Sequence, residues 1–181
     1  MEIRVAETAG FCFGVNRAVN ILYKMLDEGK RVCTLGPIIH NPQVIEDLQE
    51  KGVRIISDVS EVPQGYEVVI RAHGVTKQTM ESLEEAGVEY TDATCPYVLK
   101  IHRIIKEQTK ENDIVLIAGD GEHPEVRGFS SHCKGEYFTF KNEDELKTVL
   151  KNNDNFENKR IFFPCSDNFF RKRMEKMLKN Y

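Results

Sequence analysis

The stretch Gly10-Phe11-Cys12-Phe13-Gly14-Val15 joins a short β-like run at residues 3–6 to a helical pattern, and this junction sets the fold. Apolar residues of the expected helix lie on one face, at Val15, Val19, Leu22 and Leu26, and Gly29 follows where the helix should end. The same order of strand, loop and helix recurs almost throughout the chain. It predicts an α/β fold with mainly parallel sheets.

A second copy of the junction occurs at Ala93-Thr94-Cys95-Pro96-Tyr97-Val98. His40 follows Cys12 by 28 residues, and His123 follows Cys95 by the same number. Each of these histidines precedes a proline at an expected helix start. We therefore interpret the chain as two pseudo-equivalent α/β modules, at residues 1–93 and 94–160, followed by the beginning of an incomplete third module at residues 161–181.

Composition narrows the classes of function. The net charge of −4 argues against a nucleic-acid partner, because phosphate backbones are bound through excess Lys and Arg. Apolar runs such as residues 114–118 are too short to span a membrane, and residues 1–5 lack the pattern of a signal peptide. We expect a cytoplasmic protein. Its five cysteines, in a reducing compartment, indicate metal binding, catalysis or burial rather than disulfides.

Two cysteines stand at equivalent junctions. Cys12 and Cys95 each fall just after an expected strand and before a helix, where unpaired N–H groups stabilise a thiolate, the form that binds iron. The matched pair predicts a shared metal centre; the alternative is two buried thiols that pack as small hydrophobic groups. Cys33 and Cys133 have no such placement and are expected to be structural.

Three histidines occupy similar loop ends. His40, His73 and His123 are expected at helix N-termini, where the helix dipole and backbone N–H groups favour an anion such as a diphosphate. Glu125 is a carboxyl group placed to hold a proton for transfer. The alternative is that each histidine is an ordinary polar residue in a turn. No Walker-type loop or CxxC pair is present, which argues against a nucleotide hydrolase and a zinc ribbon or thioredoxin-type protein.

Five motifs over residues 1 to about 140 resemble those of the 4-hydroxy-3-methylbut-2-enyl diphosphate reductases, which catalyse the last step of the non-mevalonate isoprenoid pathway. The motifs, in order, are Ala9-Gly10-Phe11-Cys12-Phe13-Gly14-Val15, Leu35-Gly36-Pro37-Ile38-Ile39-His40-Asn41-Pro42, Ile70-Arg71-Ala72-His73-Gly74-Val75, Asp92-Ala93-Thr94-Cys95-Pro96 and Gly121-Glu122-His123-Pro124-Glu125-Val126.

The resemblance implies an iron–sulfur reductase that converts this allylic diphosphate to isopentenyl and dimethylallyl diphosphate. In that family three α/β modules surround a [4Fe-4S] cluster held by one cysteine from each. Cys12 and Cys95 resemble two of these metal ligands. His40, His73 and His123 resemble the substrate-binding histidines, and Glu125 resembles the catalytic proton donor. The resemblance also implies an electron donor such as ferredoxin or flavodoxin.

The chain departs from the family in its last part. The repeat places a third cysteine near Leu178, where there is none. A Gln-Thr-Thr motif of the family is replaced by Phe163-Pro164-Cys165-Ser166, and a later Asn/Ser-rich motif is absent. Cys165 is out of register with the repeat and is not expected to be a ligand. We therefore expect a chain truncated before its third module, with impaired activity alone.

Two alternatives remain at the level of sequence. One is a catalytically inactive diphosphate-binding remnant, or one half of a split enzyme. The other is a structural zinc-binding protein, since Cys and His are zinc ligands.

Overall fold

The computed structural model describes residues 4, 10–153, 156 and 158–164. Helices and strands alternate along this part of the chain. They are α1 (Phe13–Asp27), β1 (Val32–Leu35), α2 (Pro42–Glu50), β2 (Arg54–Ile56), a 3₁₀ turn (Val59–Glu61), β3 (Glu67–Ile70), α3 (Lys77–Glu85), β4 (Tyr90–Asp92), α4 (Pro96–Gln108), β5 (Ile114–Ala118), α5 (Pro124–Ser131), β6 (Glu136–Phe140), α6 (Glu143–Asn152) and β7 (Ile161–Phe162).

These elements form two compact units, one of residues 1–75 and 79–98 and the other of residues 76–78 and 99–181. The first unit contains a four-stranded sheet in the order β2-β1-β3-β4, and every pair in it is parallel. The second unit contains a three-stranded sheet in the order β6-β5-β7, also parallel. The predicted α/β class with parallel sheets is confirmed.

Both faces of the first sheet are covered. Strand β1 is buried at all four positions, as expected for a strand with helices on both sides. Its side chains alternate between two cores: Val32 packs with Leu22 of α1 and Leu48 of α2, while Cys33 packs with Leu83 of α3. The continuous apolar character of this strand therefore follows from its central place in the sheet.

Helix ends in the first unit follow the expected chemistry. Helix α1 ends at Asp27, and Gly29 adopts a φ of +74° while its N–H donates to the carbonyl of Leu26 at 2.9 Å. A residue with a Cβ is strained in this conformation, so glycine ends the helix as predicted. Asn41 caps α2 by accepting a hydrogen bond from the Val44 N–H at 3.1 Å.

The second unit has its own core around the central strand β5. Ile114 and Leu116 pack with Phe140 of β6 and Leu146 of α6. Asp113, which is buried, receives hydrogen bonds from the guanidinium of Arg160, and this ion pair ties the start of β5 to the segment that leads into β7.

Asn142 caps α6 by accepting from the N–H of Glu145 at 3.0 Å. The Glu145 carboxylate accepts from the backbone N–H of Lys141 at 2.7 Å and from the side-chain amide of Asn142 at 3.3 Å. Within the described ranges, no helix is both long and apolar enough to cross a lipid bilayer.

Some predictions fall outside the part of the chain that the structure describes. These are most of the β-like run at residues 3–6 and the sequence from Cys165 onward. The division into modules at residues 1–93 and 94–160, with the start of a third at 161–181, stays a prediction.

Leu22 provides a test of the first core because its side chain is fully buried. We expect Leu22→Ala to lower the free energy of unfolding by about 2–5 kcal/mol, since it removes buried methyl groups and leaves a cavity. Urea unfolding monitored by circular dichroism measures this change. Leu99→Ala is the control: Leu99 is 41% exposed, and its loss should have a much smaller effect. Equal losses in the two variants would contradict this description of the core.

Candidate functional site

Cys12 and Cys95 both stand at the start of a helix, as the sequence predicts. Cys12 is the N-cap residue of α1, is exposed, and makes no capping hydrogen bond through its side chain. Cys95 directly precedes Pro96, the first residue of α4, and is half-buried. Both therefore stand at helix N-termini, where backbone N–H groups lack partners within the helix.

The first turn of α1 approaches the sulfur of Cys95 closely. A Cβ atom added to Gly14 would lie 2.5 Å from Cys95 Sγ and 2.9 Å from Cys95 Cβ. Only a residue without a side chain allows this approach. Because Gly14 is the second residue after Cys12, the structure brings the Cys95 sulfur to the end of α1 at which Cys12 stands.

The backbone on either side of Cys95 is held by hydrogen bonds. The N–H of Cys95 donates to the carbonyl of Ala72 at 2.9 Å. The N–H of Thr94 donates to the Asp92 carboxylate at 2.8 Å. The turn that carries Cys95 is thus fixed both locally and to the loop that carries His73.

His40 and His73 come from neighbouring loops of the first unit. Their ring centroids are 4.7 Å apart. His40 is exposed and directly precedes Asn41, the cap of α2, so it lies at a helix N-terminus as predicted. The prediction is wrong in detail for His73, which lies in a turn before α3 begins at Lys77.

The two histidine loops are joined at several points. The N–H of Ala72 donates to the carbonyl of Ile38 at 3.3 Å. Arg71 donates from Nε to the carbonyl of Gly74 at 3.2 Å, and its Nη1 would lie 2.6 Å from a Cβ added at Gly36. Gly36 also has a φ of +74°, so both its conformation and its close neighbour favour glycine. These contacts of Arg71 were not predicted, since its only signal in the sequence is its place beside His73 in a motif.

His123 and Glu125 belong to the second unit and lie at the start of α5. His123 is its N-cap residue, and its Nδ1 accepts from the N–H of Glu125 at 3.3 Å. An imidazole that accepts at Nδ1 carries its proton at Nε2 when neutral, so this nitrogen is a donor. Burial raises the pKa of the Glu125 carboxyl, and the nearby His123 opposes this rise. Glu125 is therefore suited to hold a proton at a higher pH than an exposed glutamate.

The remaining described cysteines suit a structural role. Burial raises the pKa of Cys33 to about 11 and that of Cys133 to about 12. Their sulfurs lie 3.9 Å and 3.7 Å from the backbone carbonyls of Glu67 and Phe129. Thiols in such surroundings resist ionisation and are poor metal ligands.

Gly14→Ala tests the close approach to Cys95. Alanine normally stabilises a helix relative to glycine, by about 1 kcal/mol. Here its Cβ would overlap Cys95 Sγ, so we expect a net loss of about 1–3 kcal/mol in the free energy of unfolding, together with an altered rate of Cys95 alkylation. Asn20→Ala, at an exposed position of α1, is the control: it should stabilise the protein by less than about 1 kcal/mol and leave the alkylation rate of Cys95 unchanged. A stabilised Gly14→Ala variant would contradict the described contact.

Glu125→Gln tests the pKa of this half-buried carboxyl. A raised pKa means that this group's contribution to stability is complete below its unfolded-state pKa and is lost as the pH rises through its folded-state pKa. We expect Glu125→Gln to unfold at a higher temperature than the parent at about pH 7, and the difference to shrink below about pH 4. Thermal melts across this range measure it. Glu122→Gln, at an exposed position, should show no such dependence; a gap that widens on acidification would refute the assignment.

Comparison with known proteins places the chain among relatives of one kind. A curated 4-hydroxy-3-methylbut-2-enyl diphosphate reductase from Caldanaerobacter subterraneus subsp. tengcongensis is 44% identical over 153 residues, which cover 82% of this chain and 53% of the relative. The reductase of the same name from Geobacter sp. (strain M21) is 40% identical over 149 residues, which cover 82% of this chain and 53% of the relative. The chain thus spans about half the length of the curated relatives it matches.

Solved structures give the same result. A structure of (E)-4-hydroxy-3-methyl-but-2-enyl diphosphate reductase, described as the terminal enzyme of the non-mevalonate pathway, matches with a TM-score of 0.74 at 36% identity and covers 97% of this chain and 63% of its own. The E-1-hydroxy-2-methyl-but-2-enyl-4-diphosphate reductase from Plasmodium falciparum matches with a TM-score of 0.74 at 32% identity. This match covers 87% of this chain and 48% of the Plasmodium chain.

The family model described as LytB protein matches residues 3–168. This match includes every motif that carries the sequence resemblance. The chain belongs to the LytB protein family.

Proposed function

We propose that this chain acts in an iron–sulfur reductase that converts 4-hydroxy-3-methylbut-2-enyl diphosphate to isopentenyl and dimethylallyl diphosphate. The observation that carries the proposal is the approach of Cys95 Sγ to Gly14, beside Cys12. In a LytB family member, this contact supports a metal centre built from both thiols.

The residues present fit part of the cluster's ligand set. Cys12 and Cys95 offer two thiols at helix starts, which is the chemistry that [4Fe-4S] clusters require. Clusters take up to four cysteine ligands, and the other described cysteines, Cys33 and Cys133, are ill suited because burial keeps their thiols protonated. When bound, the cluster would supply single electrons for breaking the allylic C–O bond.

The chain's other candidate residues would bind the substrate and move a proton. His40 and His73 supply two imidazoles for the diphosphate from adjacent loops, and His123 offers a donor at Nε2. Glu125 would deliver a proton, a role supported by its raised pKa. Replacing the hydroxyl with hydrogen consumes two electrons and two protons and releases water. The electrons would come from a one-electron carrier such as ferredoxin or flavodoxin, and the free thiols suit a cytoplasmic location.

A second candidate function is diphosphate binding without catalysis. It is favoured by the fact that only two of the four cysteines in the described ranges are suited to hold iron. This protein would bind the diphosphate through its histidines and hold no cluster.

Anaerobic reconstitution with iron and sulfide distinguishes the two functions. The reductase proposal predicts a brown protein with about four irons per chain and dehydroxylation with an artificial electron donor. Cys12→Ser should lower the iron content, whereas Cys133→Ser, the control, should not. Glu125→Gln should keep the iron and lose most of the activity, by about 10²-fold or more. A colourless protein that still binds diphosphate would contradict the reductase proposal and support the binder.

A further inference from the structure

Arg17 links α1 to the turn that carries Cys95. Its Nη1 donates to the carbonyl of Thr94 at 3.2 Å, and its Nη2 donates to the carbonyl of Asp92 at 3.3 Å. Arg17 lies in the second turn of α1, and its two acceptors stand 77 and 75 residues further along the chain. One side chain thus connects the helix that begins at Cys12 with the residue directly before Cys95.

The guanidinium is held by main-chain groups. In the ranges that the structure describes, its hydrogen bonds go to the two carbonyls, and it forms no ion pair with a carboxylate. The carboxylate of Asp92 is instead engaged by the N–H of Thr94. A planar group with several fixed N–H donors suits two carbonyls on one turn better than a single ammonium does.

Among the described residues, the side-chain hydrogen bonds between α1 and this turn are those of Arg17, while Ala93 lies in the same apolar core as Ala18 of α1. Asn16 donates from Nδ2 to the carbonyl of Phe11 at 2.9 Å, which fixes the residue before Cys12 but is a local bond. The N–H of Cys95 is bonded to Ala72, on a different loop. Gly14 sets how closely α1 can approach Cys95 but does not hold it there.

We infer that Arg17 is a positioning residue that sets the separation of the Cys12 and Cys95 thiols. The two hydrogen bonds of Arg17 hold the backbone directly before Cys95. Cys12 is the N-cap residue of the same helix that carries Arg17. Removing the guanidinium would remove both of its hydrogen bonds to this turn, so that the residue before Cys95 could shift relative to α1 while the bond to Ala72 keeps the turn folded. This inference rests on the proposed function only in its use of these two thiols as partners in one metal centre.

Cadmium binding to the metal-free chain tests the inference without any catalytic assay. Two thiolates at a suitable separation bind Cd²⁺ together and give an ultraviolet charge-transfer band. The parent protein carries Cys165→Ser, so that a cysteine outside the described residues does not contribute. Cys12→Ser in this background gives the Cd²⁺ affinity of a site that has lost one thiol, for comparison.

We expect Arg17→Ala to weaken Cd²⁺ binding by about 10–100-fold, the range typical when a group that orients a metal ligand is removed. Lys24→Ala is the matched control: it removes the same charge from the same helix, at a side chain that is 78% exposed, and should leave the affinity unchanged. Iodoacetamide alkylation of both thiols against pH should give the same profile in the parent, Arg17→Ala and Lys24→Ala proteins, because the effect is on geometry and not on ionisation.

Arg17→Lys keeps the charge and is the variant to use if Arg17→Ala fails to fold. It should retain the circular dichroism of the parent and bind Cd²⁺ more weakly, since one ammonium replaces two fixed donors. Parent-like Cd²⁺ affinity in a folded Arg17→Lys or Arg17→Ala variant would overturn the inference. A shift of the pH profile of alkylation large enough to explain the whole loss of Cd²⁺ affinity would also overturn it.

Failure of the proposed function would look different. A chain that binds Cd²⁺ through both thiols with the expected dependence on Arg17, yet takes up no cluster and reduces no substrate, would refute the reductase and leave the inference intact. A reductase whose Arg17 variants bind Cd²⁺ as the parent does would refute the inference alone.

Discussion

The contact between the first turn of α1 and the sulfur of Cys95 is the constraint on which the candidate site depends. It requires a residue without a side chain at Gly14, because any Cβ there would lie 2.5 Å from the sulfur. It also requires that the turn before Cys95 be fixed, which hydrogen bonds to Ala72 and from Arg17 provide. Protein interiors tolerate little overlap, so such a close contact defines the position of both partners narrowly.

The parallel sheet explains why the first unit gathers so much chemistry in few loops. Strands β1, β3 and β4 run in the same direction, and their carboxyl ends lead to His40, His73 and Cys95 respectively. In open α/β sheets ligands bind beyond these ends. The buried apolar strands supply a rigid base, while the loops carry the polar residues. The same arrangement occurs in the second unit, where β5 leads to His123 and α5.

Much of this could be predicted from local patterns. The end of α1 at Gly29 depends on residues close together in sequence, and the alternation of strands and helices indicates parallel sheets; both predictions were confirmed. The hydrogen bonds of Arg17 could not be predicted, because they join residues more than 70 positions apart. Such partners become neighbours only when the chain is folded. His73 was expected at a helix N-terminus, but it lies in a turn, because Gly74 adopts a φ of +75° and α3 begins only at Lys77.

The candidate site depends on the thiols of Cys12 and Cys95 binding one metal together. X-ray absorption at the zinc edge measures this, on the metal-free Cys165→Ser protein loaded with less than one equivalent of Zn²⁺. We expect two sulfur neighbours at about 2.3 Å from the metal, falling to one in Cys12→Ser and in Cys95→Ser. A shell of nitrogen and oxygen atoms alone, or a sulfur count that neither substitution changes, would contradict it.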